Sequence, residues 1–197
     1  MCIRDSATVP YLRPKETVTV TETVTTTVTR TIVTERTETI TSPVQISVVD
    51  SLGRTLVFDK PPQRVVSLAP SITEILFALG LGDRVVGVTS YCNYPPEVPK
   101  LVEEGKIAVI GGYWNPDVEK IIALKPDLVI GSAGTRPHLA LKERLEEAGI
   151  KVLYVHGPSA NDVNGIAVDI ATIAKVFGVE DRATELIESI RNEIDSV

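Results

Sequence analysis

Nine aromatic residues are spread through this 197-residue sequence, and four of them fall in two short stretches. Thr89 to Val98 reads T-S-Y-C-N-Y-P-P-E-V and carries Tyr91, Asn93 and Tyr94. Tyr113 and Trp114, the latter the single tryptophan, follow the apolar run Ile107 to Ile110. Rings grouped like this suit the face of a large flat molecule, because ring stacking adds roughly 0.5–1.5 kcal/mol per pair beyond the area buried. A small polar loop further on, Ser132-Ala133-Gly134-Thr135-Arg136, offers a hydroxyl and a guanidinium. Arg136 would meet an anionic group such as a propionate, phosphate or catecholate, or else stay in water. Covalent chemistry has no comparable support. There is no G-x-S-x-G elbow, no P-loop and no assembled Ser/His/Asp set. Two His and two Cys make no zinc site. Gly80-Leu81-Gly82 follows a helix and precedes a strand, the wrong place for a phosphate cradle. His138 and His156 lack paired carboxylates at ligand spacing and read as surface or loop residues.

The elements that must hold these loops are legible. Val65–Leu68 and Val85–Val88 flank a helical pattern in which Ile75, Leu76 and Leu79 share a face and Gly80 supplies the stop. Ser71-Ile72-Thr73-Glu74 reads as its capping box. Strand, helix, strand within about thirty residues is a βαβ unit, hence a parallel sheet. From Thr89 the pattern predicts a long loop with a Pro95-Pro96 turn, then a weak strand at Ile107 to Ile110. Asn115-Pro116 predicts a helix with Asn as cap and Pro in the first turn. Asp127 to Gly131 is a strand, Pro137 to Ala148 a helix, and Ile150 to Val155 the last strand. Val163, Ile166, Ala167, Ile170, Ile173, Ala174 and Phe177 form one helical stripe ended by Gly178. Ala183, Leu186, Ile187, Ile190 and Ile194 begin another. Ahead of all this, Val44 to Val49 and Arg54 to Phe58 flank Asp50-Ser51-Leu52-Gly53 as a β-hairpin. The expected class is α/β, a Rossmann-like, doubly wound, mostly parallel sheet. Ligands bind such sheets outside the carboxyl ends of the strands, where both aromatic loops emerge.

Composition bounds the rest. At 43% hydrophobic and 23% charged, the chain has room for one sizeable core. A net charge of −6 and the lack of a Lys/Arg stripe argue against nucleic acid. Cys2 and Cys92 sit in unlike surroundings, and a disulfide between them has no support. The opening M-C-I-R-D-S does not read as a signal peptide and is expected to be foreign to the domain, the true start lying upstream. Cys2, with no apolar segment before it, does not read as a lipid-anchor site. Between Thr17 and Thr41, thirteen of 25 residues are Thr, with Val18, Val20, Val24, Val28 and Ile32 on alternate positions. The tract reads either as an extended stalk, glycosylated on Thr, or as a plain linker. The expected organisation is residues 1–43 as Thr-rich stalk, 44–178 as an α/β ligand-binding lobe, and 179–197 as the start of an inter-lobe helix.

Three motifs in order, S-L-A-P-S-I-T-E, S-Y-C-N-Y-P-P and E-K-I-I-A-L-K-P-D-L-V-I, resemble the N-terminal lobe of class III periplasmic substrate-binding proteins. The resemblance covers roughly Val44 to Val197. It implies the extracytoplasmic component of an ABC importer, anchored outside the membrane, with a permease and its ATPase as partners and a corrinoid such as cobalamin as ligand. A ferric siderophore or haem is the alternative within the family. A stalked surface interaction domain without transport is the alternative outside it. No catalysis, resident cofactor or metal is implied.

Residue by residue, the resemblance makes Tyr91 the ring that packs on the ligand, with Cys92 and Asn93 lining the mouth. Tyr94 would fix the turn through Pro95. Tyr113 and Trp114 stand where cobalamin binders place one Trp, and Trp114 is the better wall. Ser132 stands where those binders carry an aromatic, a departure that keeps haem and siderophores open. Glu119 matches the acidic residue that docks on a permease arginine, a role in which a lone exposed carboxylate steers encounter. A second lobe would follow, so the chain reads as truncated at both ends.

Overall fold

Short, near-continuous apolar runs, buried on both faces, build the centre of the molecule. The computed structural model describes residues 45–196; the Thr-rich tract, the opening hexapeptide, Cys2 and Val44 lie outside the described residues. Five parallel strands are formed by β3 (Val65–Ser67), β4 (Val85–Val88), β5 (Ala108–Val109), β6 (Leu128–Ser132) and β7 (Lys151–Val155). They are ordered β5-β4-β3-β6-β7. The first of them in the chain lies in the middle, and the winding reverses there, as a doubly wound sheet requires. Val65, Leu128, Ile130, Leu153 and Val155 face one side, and Val66, Leu68, Val129, Val152 and Tyr154 the other. Each side carries helices. The first is covered by α1 (Pro70–Ala78), α6 (Val163–Phe177) and α7 (Glu180–Asp195), the second by α3 (Val118–Ala123) and α5 (Lys142–Glu147). The expected α/β class holds.

The opening hairpin, β1 (Ile46–Val49) and β2 (Thr55–Phe58), forms its own antiparallel pair. Its turn is closed by buried Asp50, whose Oδ1 accepts from Leu52 N–H at 3.0 Å and Arg54 N–H at 2.9 Å. The hairpin also shields the outer edge of β7, which would otherwise offer free carbonyls to another chain. Ser51 N–H donates to the Tyr154 carbonyl at 2.8 Å, and Arg54 Nη2 to the Val152 carbonyl at 2.8 Å.

Several local expectations change. The first helix is capped at Ala69, because Pro70 occupies the first turn. Ser71 is therefore inside the helix, its Oγ buried without a partner, and Glu74 is exposed, so no capping box forms. Thr73 instead turns its hydroxyl back onto the Ala69 carbonyl and Ser67 Oγ. The loop after β4 is shorter than expected, since α2 occupies Glu97–Glu103. Pro99 obscured it, yet it lies in the first turn, where a missing N–H costs nothing. Asp117, not Asn115, caps α3: its Oδ1 accepts from Glu119 N–H and Lys120 N–H at 3.0 and 3.1 Å. The single helix expected over 137–148 is two, α4 (Arg136–Ala140) and α5, meeting at Leu141. Gly178 ends α6 in the left-handed region at φ 68°.

Candidate functional site

Both aromatic loops leave the carboxyl ends of adjacent strands, β4 and β5, and they touch. Ser90 N–H donates to the Gly111 carbonyl at 2.9 Å. Gly111 turns at φ 106°, where an added Cβ would meet the Asn115 carbonyl at 2.7 Å, so the second loop can fold back this tightly only through glycine.

The first loop is fastened from below. Cys92 is buried, its thiol 3.2 Å from Thr73 Oγ1 on α1 and 3.3 Å from Thr89 Oγ1. With Cys92 turned inward, its neighbours turn out: Tyr91 is 59% exposed, and Asn93 is exposed beside it. The thiol is an anchor, so it does not line the mouth. Tyr94 is also 59% exposed. Its ring lines an open groove of about 660 Å³ between α1 and α2, with Glu74, Phe77, Glu97 and Leu101. That groove is separate from the Tyr91 and Trp114 rings.

The second loop is held from its far side. Tyr113 is half-buried, and its hydroxyl lies 2.6 Å from Thr135 Oγ1, so the loop after β5 reaches across the ends of β4 and β3 to the segment after β6. Trp114 stands edge-on to Tyr113, centroids 4.7 Å apart, and is 67% exposed. Of this pair, Trp114 is free to meet a ligand and Tyr113 braces it.

His138, expected at the surface, is fully buried. Ser132 N–H donates to its Nδ1 at 3.1 Å, which places the ring proton on Nε2. Nε2 then donates to the Tyr113 carbonyl at 3.0 Å. The Tyr113 ring stands edge-on to the imidazole at 4.8 Å. Burial holds the His138 pKa below its ordinary value, with the Tyr113 carbonyl opposing in part. Tyr154 Oη donates to the His138 carbonyl at 2.9 Å, and burial pushes that phenol up to about 12. The signal for this buried histidine was faint: a His six residues past a buried strand, beside a proline.

The structure disperses the remaining candidates. Ser132 is buried, its hydroxyl donating to the His156 carbonyl at 2.9 Å, so it supports the mouth from behind rather than lining it. Arg136 is exposed at the start of α4. Glu119, exposed in the first turn of α3, is not the lone carboxylate expected, because Arg144 Nη2 pairs with its Oε1. His156 Nδ1 lies 2.8 Å from Asp169 Oδ1 and 3.3 Å from Ser51 Oγ. Both partners share one ring nitrogen, so this is no relay to a nucleophile, which needs the opposite nitrogen. No group of three His, Cys, Asp or Glu among the described residues could hold a metal, and no described helix is long and apolar enough to cross a membrane.

Comparison with known proteins places this arrangement. The profile of the family described as periplasmic binding protein matches residues 65–197. An uncharacterized ABC transporter substrate-binding lipoprotein of Bacillus subtilis, YvrC, is 37% identical over 154 residues, covering 77% of this chain and 46% of the relative. The vitamin B12-binding protein of Yersinia pestis is 32% identical over 135 residues, covering 68% and 45%. Among solved structures, the periplasmic haem-binding protein RhuT from Roseiflexus superposes with a TM-score of 0.58 at 33% identity, covering 68% of this chain and 48% of its own. The chain spans about half the length of these relatives.

Proposed function

The chain belongs to the periplasmic binding protein family, and from that premise we propose that it forms one wall of the ligand cleft in the substrate-binding component of an ABC importer. The ligand is a corrinoid, captured outside the cytoplasmic membrane and passed to the permease and its ATPase. The observation that carries this reading is the pair of exposed rings, Tyr91 and Trp114, presented by touching loops at the carboxyl ends of adjacent strands. A flat macrocycle can stack against the exposed faces of such rings, and a second lobe would close over it. The work is binding, as the family membership supports. Arg136, exposed at the start of α4, is available to an anionic edge group.

Haem is the second reading, since Arg136 would serve a propionate as well as a phosphate, and a ferric siderophore belongs to the same alternative. Glu119 is the docking carboxylate of this proposal, and its pairing with Arg144 means that a permease arginine must displace Arg144.

The test is equilibrium titration of the full-length protein with cobalamin, haem and a ferric catecholate, each with and without Tyr91→Ala. The expected result is tightest binding of cobalamin, weakened at least several-fold by the substitution. An unchanged dissociation constant sinks the assignment of the Tyr91 loop, and tighter haem binding moves the ligand to the second reading.

A further inference from the structure

We propose that His138 is the positioning residue of the mouth's second aromatic wall: as the neutral Nε2–H tautomer it latches the Tyr113–Trp114 loop to the end of β6, and protonation opens the latch. The positioning claim stands on contacts within this chain; only its consequence for ligand affinity rests on the function proposed above.

The geometry leaves the imidazole no second way to satisfy both neighbours. One nitrogen must accept, because the Ser132 backbone can only donate. The other must donate, because the Tyr113 carbonyl can only accept. Together the two bonds join segments that share no backbone hydrogen bond among the described residues: the loop after β5, and the β6–α4 connection three strands away. Tyr113 adds a third tie through Thr135, and Trp114 leans on Tyr113. The position of the exposed indole therefore descends, contact by contact, from the buried imidazole.

A second proton on the ring would sit on Nδ1, facing the Ser132 N–H donor, inside a fully buried site. Donor would face donor, and the charge would lack water. The ionisable groups against the ring from other elements are the Tyr113 and Tyr154 phenols, and burial pushes the Tyr154 phenol up to about 12. On its own helix the charged neighbour, Arg136, is exposed. Apart from the Tyr113 carbonyl, nothing there compensates an imidazolium. Protonation costs the ring its Ser132 bond and keeps the Nε2–H donor to Tyr113. What drives opening is the buried charge itself, which gains water when the Tyr113–Trp114 loop lying against the ring lifts. Acid therefore favours the lifted loop.

The sign follows from proton counts. His138 is held below the ordinary 6.5 while buried and returns toward it when exposed. The lifted form thus binds more protons below about pH 6.5, and the latched form loses ground as pH falls through that value toward the lowered pKa. Above it the latch is fully effective.

The 197-residue chain carries its own reporter, since Trp114 is its only tryptophan. The experiment follows Trp114 fluorescence anisotropy from about pH 7.5 to 5, with far-UV circular dichroism in parallel, for the natural chain and for His138→Gln and His138→Asn. Gln can still donate to the Tyr113 carbonyl but cannot titrate. Asn can still accept from Ser132 but cannot reach Tyr113. The natural chain should lose anisotropy along a one-proton curve centred below pH 6.5, with its circular dichroism unchanged. His138→Gln should hold the neutral-pH value throughout, and His138→Asn should show the low value already at neutral pH. A flat curve in the natural chain overturns the proposal. So does the same fall in His138→Gln, which would assign it to another group, and so does a fall that coincides with loss of secondary structure. No ligand enters these measurements, so failure of the Tyr91 titration and failure of the latch are read separately.

Discussion

The two aromatic loops at the mouth solve one problem in opposite ways. The loop after β4 is pinned by a small residue, Cys92, whose thiol sits among the hydroxyls of Thr73 and Thr89, and both of its tyrosines are left outside. The loop after β5 has no such pin of its own. It spends a ring, Tyr113, as a strut, and the strut is held by Thr135 and His138 from across the sheet. The first loop depends on contacts with its own strand end and the neighbouring helix. The second depends on a partner three strands away. Anchoring and ring exposure therefore fall to separate residues in the first loop and to adjoining links of one chain in the second.

That contrast can be broken at several points, the most severe first. His138→Ala leaves the Ser132 N–H and the Tyr113 carbonyl without their buried partner, and should lower the stability of the chain by about 2–4 kcal/mol. Urea unfolding near neutral pH checks it, and a loss under about 1 kcal/mol would mean that the second loop stands without its distant support. Cys92→Ala removes a buried sulfur but spares the backbone bond from Cys92 N–H to the Thr89 carbonyl, so the loss should be smaller, about 1–2 kcal/mol. A larger loss than for His138→Ala in the same unfolding series would reverse the comparison. At the small end, Tyr91→Ala and Trp114→Ala should each change stability by no more than about 0.5 kcal/mol, because both rings are largely in water. Thermal melts that shift clearly for either would show that ring to be a brace, as Tyr113 is.

The match between sequence and structure followed the range of the forces involved. Residues 65–88 announced their strand, helix and strand through apolar periodicity and a glycine stop, and these elements form where that pattern puts them. Boundaries set by a single cap moved by a residue or two, as at Asp117, since Asn and Asp compete for the same role and only backbone direction decides. The proline at 99 hid α2, because a proline in a first turn and a proline in a loop look alike in one dimension.

Among the site residues, the sequence by itself determined that rings would gather at the strand ends, because both loops must leave a parallel sheet on the same side. Which ring faces water was decided only by the tertiary structure. Tyr113 and Trp114 are neighbours of similar size and polarity, and nothing local separates them. What separates them is the arrival of Thr135 and His138 from the other half of the sheet. The same folding step buried Ser132 and His138, both of which read as polar loop residues in isolation. Burial is conferred by whatever long-range packing lays over a residue, and a polar group accepts it only when its partners arrive with it.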